Sequence, residues 1–351
     1  MTTTLLALGE VRTALLMNSA PLAPTGTEAL LDVAPGTRVR SAERPLARAV
    51  SADLVHAVDC RLRCASGAKV RGVGTLLART RVTGGRVVQA SARAVVTAGG
   101  TRRLGWAHYL ERLGTIEAIG RPVPEDLARG FPGDSAPGAT LDPGAACEQL
   151  LAAVQGSPLL DHRPAFRARR TRLGWSAVVA PGRPSGVFTV RGTTDRTLEL
   201  RLSADDFPQD LARLAALCED LARHDWLLGV VGDIAERACR GRADAASLAR
   251  LRPAVDHLLH LWMPGIDVPG ELMPVWEGLE TAPGFSRQWQ SCVDRIRDHM
   301  ALSTLELLAR EREERPTAPP LGRQTRADRR RNGLPVPPDV PTTMDGTRLR
   351  R

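Results

Sequence analysis

Histidine and aspartate residues recur at helical spacing in the C-terminal part of this chain, and side chains of these two types can bind metal ions. Asp220 and His224 are four residues apart, as are Asp256 and His260, so each pair would share one face of a helix. Metal sites in helical bundles are built from carboxylates and imidazoles on facing helices. The candidate ligands are Asp220, His224, Asp256, His257, His260, Asp298 and His299.

A polar helix face that meets solvent or another protein would explain the same residues. The paired Glu-x-x-His spacing of di-iron bundles is absent. On a helical wheel, His257 and His260 point nearly opposite to an apolar face, which is formed by Val255, Leu258, Leu259 and Trp262. We therefore predict no bound metal ion and no cofactor, and we keep a metal-dependent enzyme or metalloprotein as an alternative.

Five arginines lie within ten residues and could bind an anion. They are Arg163, Arg167, Arg169, Arg170 and Arg172, with only Asp161 as an adjacent acidic residue. The guanidinium group donates hydrogen bonds in a fork that matches phosphate and carboxylate oxygens. Because arginine replaces lysine almost everywhere in this chain, a solvated strand edge explains the cluster better. Anion or nucleic-acid binding through this cluster is a further alternative function.

The motifs of common enzyme classes are missing. Of 48 basic residues, 47 are arginine, and only Lys69 carries an ε-amine, because guanidinium is never deprotonated in proteins. Lys69 follows Ser-Gly-Ala, which does not form a phosphate-binding Gly-x-x-x-x-Gly-Lys-Ser/Thr loop. Gly-x-Ser-x-Gly and His-Glu-x-x-His are also absent. No catalytic residue can be named, and a protein without enzymatic activity is favoured.

Positive charge is concentrated at the C-terminus. Residues 315–351 contain nine arginines and three aspartates, a net charge of +6, which leaves +3 of the chain's +9 for residues 1–314. The same segment has seven prolines and no aromatic residue, a composition typical of disordered chains. We predict a disordered Arg/Pro-rich tail over residues 313–351.

The cysteines and the apolar segments predict a cytoplasmic protein with reduced thiols. The apolar N-terminal run has no basic leader before it, and no uncharged apolar stretch reaches eighteen residues, so neither a secretory signal nor a membrane span is predicted. Cys60 and Cys64 form the one close pair among six cysteines. On a strand their thiols would share a face, but no second pair completes a zinc site.

Residues 1–205 are predicted to form a domain rich in antiparallel strands. Residues 70–82 and 86–97 read as a hairpin, because Ala90, Ala92, Ala94 and Val96 alternate with polar residues. A second hairpin joins the strand containing Phe188 to the strand from 198 to 202. The stretch 121–145, rich in Gly, Pro and Asp, is predicted as a loop.

Residues 206–312 are predicted to form a helical domain that resembles a bundle. From Leu211 to Leu228, apolar residues recur at spacings of three and four. Two shorter helices are predicted on either side of Pro253, and a last long helix from near Phe285. The predicted fold class is therefore α+β.

Five segments are distinctive enough for family comparison: Leu6 to Thr13, Leu104 to Leu110, Asp161 to Phe166, His224-Asp-Trp226 and Leu251 to Gly265. Together they resemble an uncharacterised conserved protein family of high-GC actinobacteria, over residues 5 to about 310. Members of that family are encoded near variant P-loop and methyltransferase-like proteins. The resemblance therefore implies an NTPase-like protein partner and supplies no catalytic residues.

These observations together favour a non-catalytic assembly or adaptor subunit that acts with an NTPase-like partner. Tryptophan is enriched at protein interfaces, and four tryptophans fall on predicted helices: Trp226, Trp262, Trp276 and Trp289. Nucleic acid is the less favoured partner, because most of the net positive charge belongs to the tail.

Overall fold

The computed structural model describes residues 4–34, 36–132, 140–207, 210–240 and 244–314 of the chain. The predicted tail lies outside these residues from position 315 onward, so its predicted disorder stays a prediction. The strands are β1 (Thr4–Leu15), β2 (Arg40–Ala42), β3 (Arg48–Val50), β4 (Leu54–Leu62), β5 (Val70–Thr83), β6 (Val87–Ala98), β7 (Thr115–Ile119), β8 (Thr171–Val179), β9 (Ser185–Val190) and β10 (Asp195–Leu202). The α-helices are α1 (Pro24–Leu31), α2 (Trp106–Leu110), α3 (Pro124–Gly130), α4 (Pro143–Gln155), α5 (Leu211–Cys239), α6 (Ala245–His257), α7 (Met273–Thr281) and α8 (Phe285–Glu314).

The strands form one mixed sheet in the order β2-β3-β5-β7-β6-β1-β8-β10-β9, with β4 paired to β5. The hairpin β5–β6 and the hairpin β9–β10 are present as the alternating patterns predict. In the described residues, eight strand pairs are antiparallel and two are parallel, β6 with β7 and β8 with β10. The predicted α+β class is confirmed, although the sheet is not purely antiparallel.

Strand β5 changes partner along its length, and Gly74 makes this change sterically feasible. Its second half pairs with β6, and its first half pairs with β4 and β7. A Cβ atom at Gly74 would lie 2.0 Å from the carbonyl oxygen of Thr115 on β7. Only glycine permits so close an approach of two backbones.

Helices cover both faces of the sheet, and the side chains of β1 point alternately into the cores on these two faces. Leu6 and Leu8 point into a core completed by α4, whereas Ala7 and Val11 point into a second core completed by α5 and α7. A third core lies among α5, α6 and α8 and includes Trp226. Because α5 packs directly on β1, β6 and β8, the C-terminal helices continue the packing of the sheet. The division into domains at residue 205 stays a prediction.

Charged side chains are buried between the sheet and α5. Glu219 accepts two hydrogen bonds from Arg79 on β5, both 2.8 Å long, and one of 2.5 Å from Ser91 on β6. Arg81 lies 3.6 Å from the same carboxylate and also pairs with Asp267. Burial alone would raise the pKa of Glu219, but the two guanidinium groups and Ser91 bring it down to about 2. The network fixes one position of α5 against two neighbouring strands.

Two local predictions are wrong. The stretch 121–145 contains α3 and the start of α4, and both helices begin with a proline at the first turn, where the missing N–H costs nothing. Pro253 lies inside α6 instead of separating two helices. Packing of Leu251 and Ala254 in the third core offsets the roughly 3 kcal/mol that an internal proline costs.

The two cysteines of the close pair do not lie on one strand. β4 ends at Leu62, so Cys64 lies beyond the strand that would have aligned it with Cys60. All six cysteines are free thiols.

Among the described helices, none combines the length and the apolar character that a membrane-spanning segment needs.

Candidate anion-binding cleft

A cleft of about 400 Å³ opens between α5, the start of β10 and the segment that leads into β8. Its walls come from three parts of the chain, residues 167–171, 193–196 and 225–237. The charged residues that line it are Arg167, Arg169, Arg196, Arg237, Asp225 and Asp233. With four guanidinium groups against two carboxylates, the cleft carries a net positive charge.

Trp226 and Gly229 shape the cleft from the side of α5. Trp226 is fully buried, and its indole N–H donates a 2.8 Å hydrogen bond to the carbonyl oxygen of Arg169. This bond holds the segment before β8 against the helix. A Cβ atom at Gly229 would meet nothing within 4 Å, so no neighbouring group in the described chain requires a glycine there. Its absent side chain leaves the cleft open.

Arg196 and Asp225 form a buried ion pair in the wall of the cleft. Nε of Arg196 donates to Asp225 at 3.0 Å, and Nη1 donates to the carbonyl oxygens of Gly192 at 2.6 Å and Asp195 at 3.1 Å. Burial raises the pKa of the Asp225 carboxyl above its ordinary value, although Arg196 acts in the opposite direction. The guanidinium group of Arg196 is therefore held in a fixed orientation before any ligand arrives.

The other three arginines of the cleft, Arg167, Arg169 and Arg237, have N–H donors that remain available to a ligand. Within the described part of the chain, the side chains of Arg167 and Arg169 form neither an ion pair nor a hydrogen bond. Arg237 lies 3.9 Å from Asp233 one turn earlier on α5, and both side chains are exposed. Such a pair in solvent is weak. Three guanidinium groups can thus turn their N–H donors toward an anion.

The structure divides the predicted arginine cluster between two faces of the sheet. Thr171 lines the cleft, and the neighbouring Arg172 points to the opposite face, where it donates to Glu10 at 2.8 Å. Arg170 donates to Glu148 of α4 at 3.1 Å. Arg163 is exposed and does not line the cleft. Of the five arginines predicted from the sequence, only Arg167 and Arg169 do so.

Sequence reasoning missed Arg196, Arg237 and Asp225 as members of this site. They reach it because β10 pairs in parallel with β8 and because α5 crosses the sheet beside that pair. The alternation of Leu198, Leu200 and Leu202 with polar residues already placed Arg196 on the same face of β10 as those leucines. A glycine inside a predicted helix is unfavourable, so Gly229 was the other feature of the sequence that could have indicated this site.

Asp220 and His224 pack in the core and do not form an open metal site. Nδ1 of His224 donates to the carbonyl oxygen of Asp220 at 2.7 Å, and its ring packs edge-on against Trp262 and Trp276. The Asp220 carboxylate pairs with Arg223 and accepts a 3.0 Å hydrogen bond from a backbone N–H. Burial would raise the pKa of Asp220, but His224 and Arg223 lower it overall.

The other His/Asp candidates are dispersed. Asp256 pairs with Arg252 at 3.0 Å on an exposed face of α6. His257 is stacked on Phe166 and lies 3.3 Å from the Arg86 guanidinium. Of the remaining three, Asp298 and His299 lie on α8 and His260 lies in the turn after α6, with His260 and Asp298 exposed. Among the described residues, no group of three or more His, Cys, Asp or Glu side chains could hold a metal ion.

The apolar face predicted from the helical wheel does not form on one helix, because α6 is shorter than the wheel assumes. α6 ends at His257, and residues 259–261 form a 3-10 turn. Leu258 is fully buried and Val255 is 38% exposed, so these two residues do not share one buried face.

Comparisons of this chain with protein-family models, with curated proteins and with solved structures find no match. The geometry of the cleft is therefore the basis for a functional assignment.

Proposed function

We propose that this protein binds a phosphate-bearing small molecule in the cleft. The observation that carries the proposal is the convergence of four arginines, Arg167, Arg169, Arg196 and Arg237, on one cleft of about 400 Å³. Two of them, Arg167 and Arg169, have no partner within the described residues. The volume lies in the range of small-molecule sites, roughly 300–1,000 Å³.

A phosphate group suits this arrangement better than a carboxylate does. Arginine forks pair with both kinds of oxyanion, but one fork already occupies both oxygens of a carboxylate. A phosphate offers more acceptor oxygens, arranged tetrahedrally, to donors that approach from several sides. The cleft presents guanidinium groups from three separate parts of the chain, at 167–169, at 196 and at 237.

A small molecule suits the cleft better than a nucleic acid does. Nucleic-acid backbones are bound along extended basic surfaces, whereas Arg170 and Arg172 turn away from Arg167 and Arg169 to the other face of the sheet.

The test is isothermal titration calorimetry of the full chain with inorganic phosphate and with pyrophosphate at low ionic strength. The double variant R167A/R169A removes the two guanidinium groups that have no partner among the described residues, and R163A/R170A is the matched control from the same segment outside the cleft. A hydrogen bond between charged groups contributes about 1.5–3 kcal/mol. We therefore expect R167A/R169A to weaken binding at least about tenfold and R163A/R170A to bind like the wild type.

Equal affinity of R167A/R169A and the wild type for pyrophosphate would overturn the proposal, as would a loss of binding in R163A/R170A alone. An oligonucleotide that binds through the same two arginines more tightly than pyrophosphate would assign the cleft to nucleic acid instead. The assembly or adaptor role with an NTPase-like partner stays a prediction from the sequence.

A further inference from the structure

The C-terminal part of α8 presents an apolar face away from the other residues that the structure describes. The helix packs inward through Trp289, Ile296 and Ser303, which are seven residues apart. The opposite face carries Leu302, Leu305 and Leu308, which are 57%, 63% and 56% exposed. Large aliphatic side chains this exposed, grouped over two helical turns, mark an interaction surface.

On each side of these leucines an exposed charge lies in line with Leu305 along the helix. Asp298 precedes Leu305 by seven residues and Arg312 follows it by seven, so all three lie along one face of the helix. Neither charge has a partner ion within the described residues. Nearby charges on α8 do pair within the helix, Arg297 with Asp294 at 2.8 Å and Arg310 with Glu306 at 3.8 Å.

We propose that two copies of the chain associate through this face, with the two α8 helices antiparallel and Leu305 at the twofold axis. Residues equally distant from Leu305 then lie opposite each other. Leu302 of one copy packs against Leu308 of the other, and Asp298 of one copy pairs with Arg312 of the other, twice by symmetry. In a parallel, in-register pair the same positions would place like charges together, so the charge pattern selects the antiparallel arrangement.

The size of the face determines how strong the association is. A contact made by three leucines and two ion pairs per helix buries less than the roughly 800 Å² per partner that is typical of stable complexes. We therefore expect a monomer–dimer equilibrium that depends on protein concentration, and exposed ion pairs that lose strength as salt is added.

Sedimentation equilibrium of the full chain, over a wide concentration range, tests the proposal. The wild type is expected to shift from monomer toward dimer as concentration rises. The variant L305E/L308E is expected to stay monomeric, and its circular dichroism spectrum should match the wild type because both positions are exposed. The matched control is L159E, since Leu159 is an equally exposed leucine, at 53%, in the loop after α4.

Charge reversal tests the antiparallel register separately. D298R alone and R312D alone each place like charges opposite one another and should weaken the dimer, whereas the double variant D298R/R312D should restore it. A wild type that stays monomeric throughout, or a dimer unaffected by L305E/L308E, would overturn the proposal. A double variant no better than the single variants would refute the register.

Discussion

At the scale of single residues, the buried carboxylate of Glu219 balances two guanidinium groups, those of Arg79 and Arg81. Replacing Glu219 by Gln keeps the side-chain size but removes the negative charge. Breaking one side of a buried ion pair costs about 3–5 kcal/mol, and Arg81 keeps its second partner, Asp267. We therefore expect E219Q to lower the free energy of unfolding by about 3 kcal/mol, measured by urea denaturation at pH 7.

The control for this variant is Glu236→Gln, which removes an exposed carboxylate of α5 that pairs with Arg240, the residue after the helix. Exposed pairs contribute little to stability, so E236Q should unfold at nearly the wild-type urea concentration. If E219Q were as stable as E236Q, the buried network would not hold α5 on the sheet.

The same residue predicts how stability depends on pH. The folded-state pKa of Glu219 is about 2, below its ordinary value of 4.5, so the unfolded state takes up the proton first as pH falls. The stabilisation by Glu219 is complete above about pH 4.5 and is lost as pH decreases toward 2. The difference in unfolding free energy between the wild type and E219Q should therefore shrink over this window. A difference that stays constant from pH 6 to pH 2.5 would contradict the low pKa.

At the scale of elements, Gly229 lies in the middle of a 29-residue helix, where glycine is unfavourable. A Cβ atom there meets nothing within 4 Å, so G229A should raise the unfolding free energy by about 0.5–1 kcal/mol. A longer side chain would extend into the cleft, and G229L should therefore weaken pyrophosphate binding without lowering the melting temperature.

The matched variant for Gly229→Leu is Gly232→Leu, three residues further along α5. A Cβ atom at Gly232 also meets nothing within 4 Å, and Gly232 does not line the cleft. Calorimetry of both variants measures pyrophosphate binding, and thermal unfolding measures the effect of each leucine on stability. Equal loss of binding in G229L and G232L would show that the leucine acts through the helix and not by filling the cleft.

Elements with strong local patterns could be predicted from the sequence, and those set by tertiary contacts could not. The hairpin β5–β6 follows from the alternation of Ala90 to Val96, and α5 from its apolar spacing. α4 was missed although Asp142 accepts a hydrogen bond at its N-terminus and Pro143 occupies its first turn, a recognised start signal. Pro253 misled the prediction because packing outweighed its local preference.

The candidate site, too, could be predicted from the sequence only where its residues are neighbours in the chain. Arg167 and Arg169 could be found in the sequence because they are close neighbours. Arg196 and Arg237 join them only through the parallel pairing of β8 with β10 and the path of α5 across the sheet. No local pattern specifies which strands pair across such a crossover. A functional site built from three distant parts of the chain therefore becomes visible only in the folded structure.

At the scale of the whole molecule, positive charge is distributed unevenly. Residues 315–351 carry a net +6 of the chain's +9, while the cleft arginines at 167, 169, 196 and 237 all precede α8. Two kinds of anion binding are thus separable along the chain. Binding of a small phosphate ligand depends on geometry in the cleft, whereas attraction to a polyanion depends on the number of charges available.

Truncation after Glu314 tests this separation, because it removes the nine tail arginines and leaves every cleft residue in place. The truncated chain should bind pyrophosphate like the full chain, with nearly the same melting temperature. Its affinity for labelled DNA, followed by fluorescence anisotropy across a salt series, should fall and depend less steeply on salt, since fewer counterions are released. If the truncated chain instead binds DNA as tightly as the full chain, the folded part carries a nucleic-acid site, and Arg163 to Arg172 would be the first residues to replace.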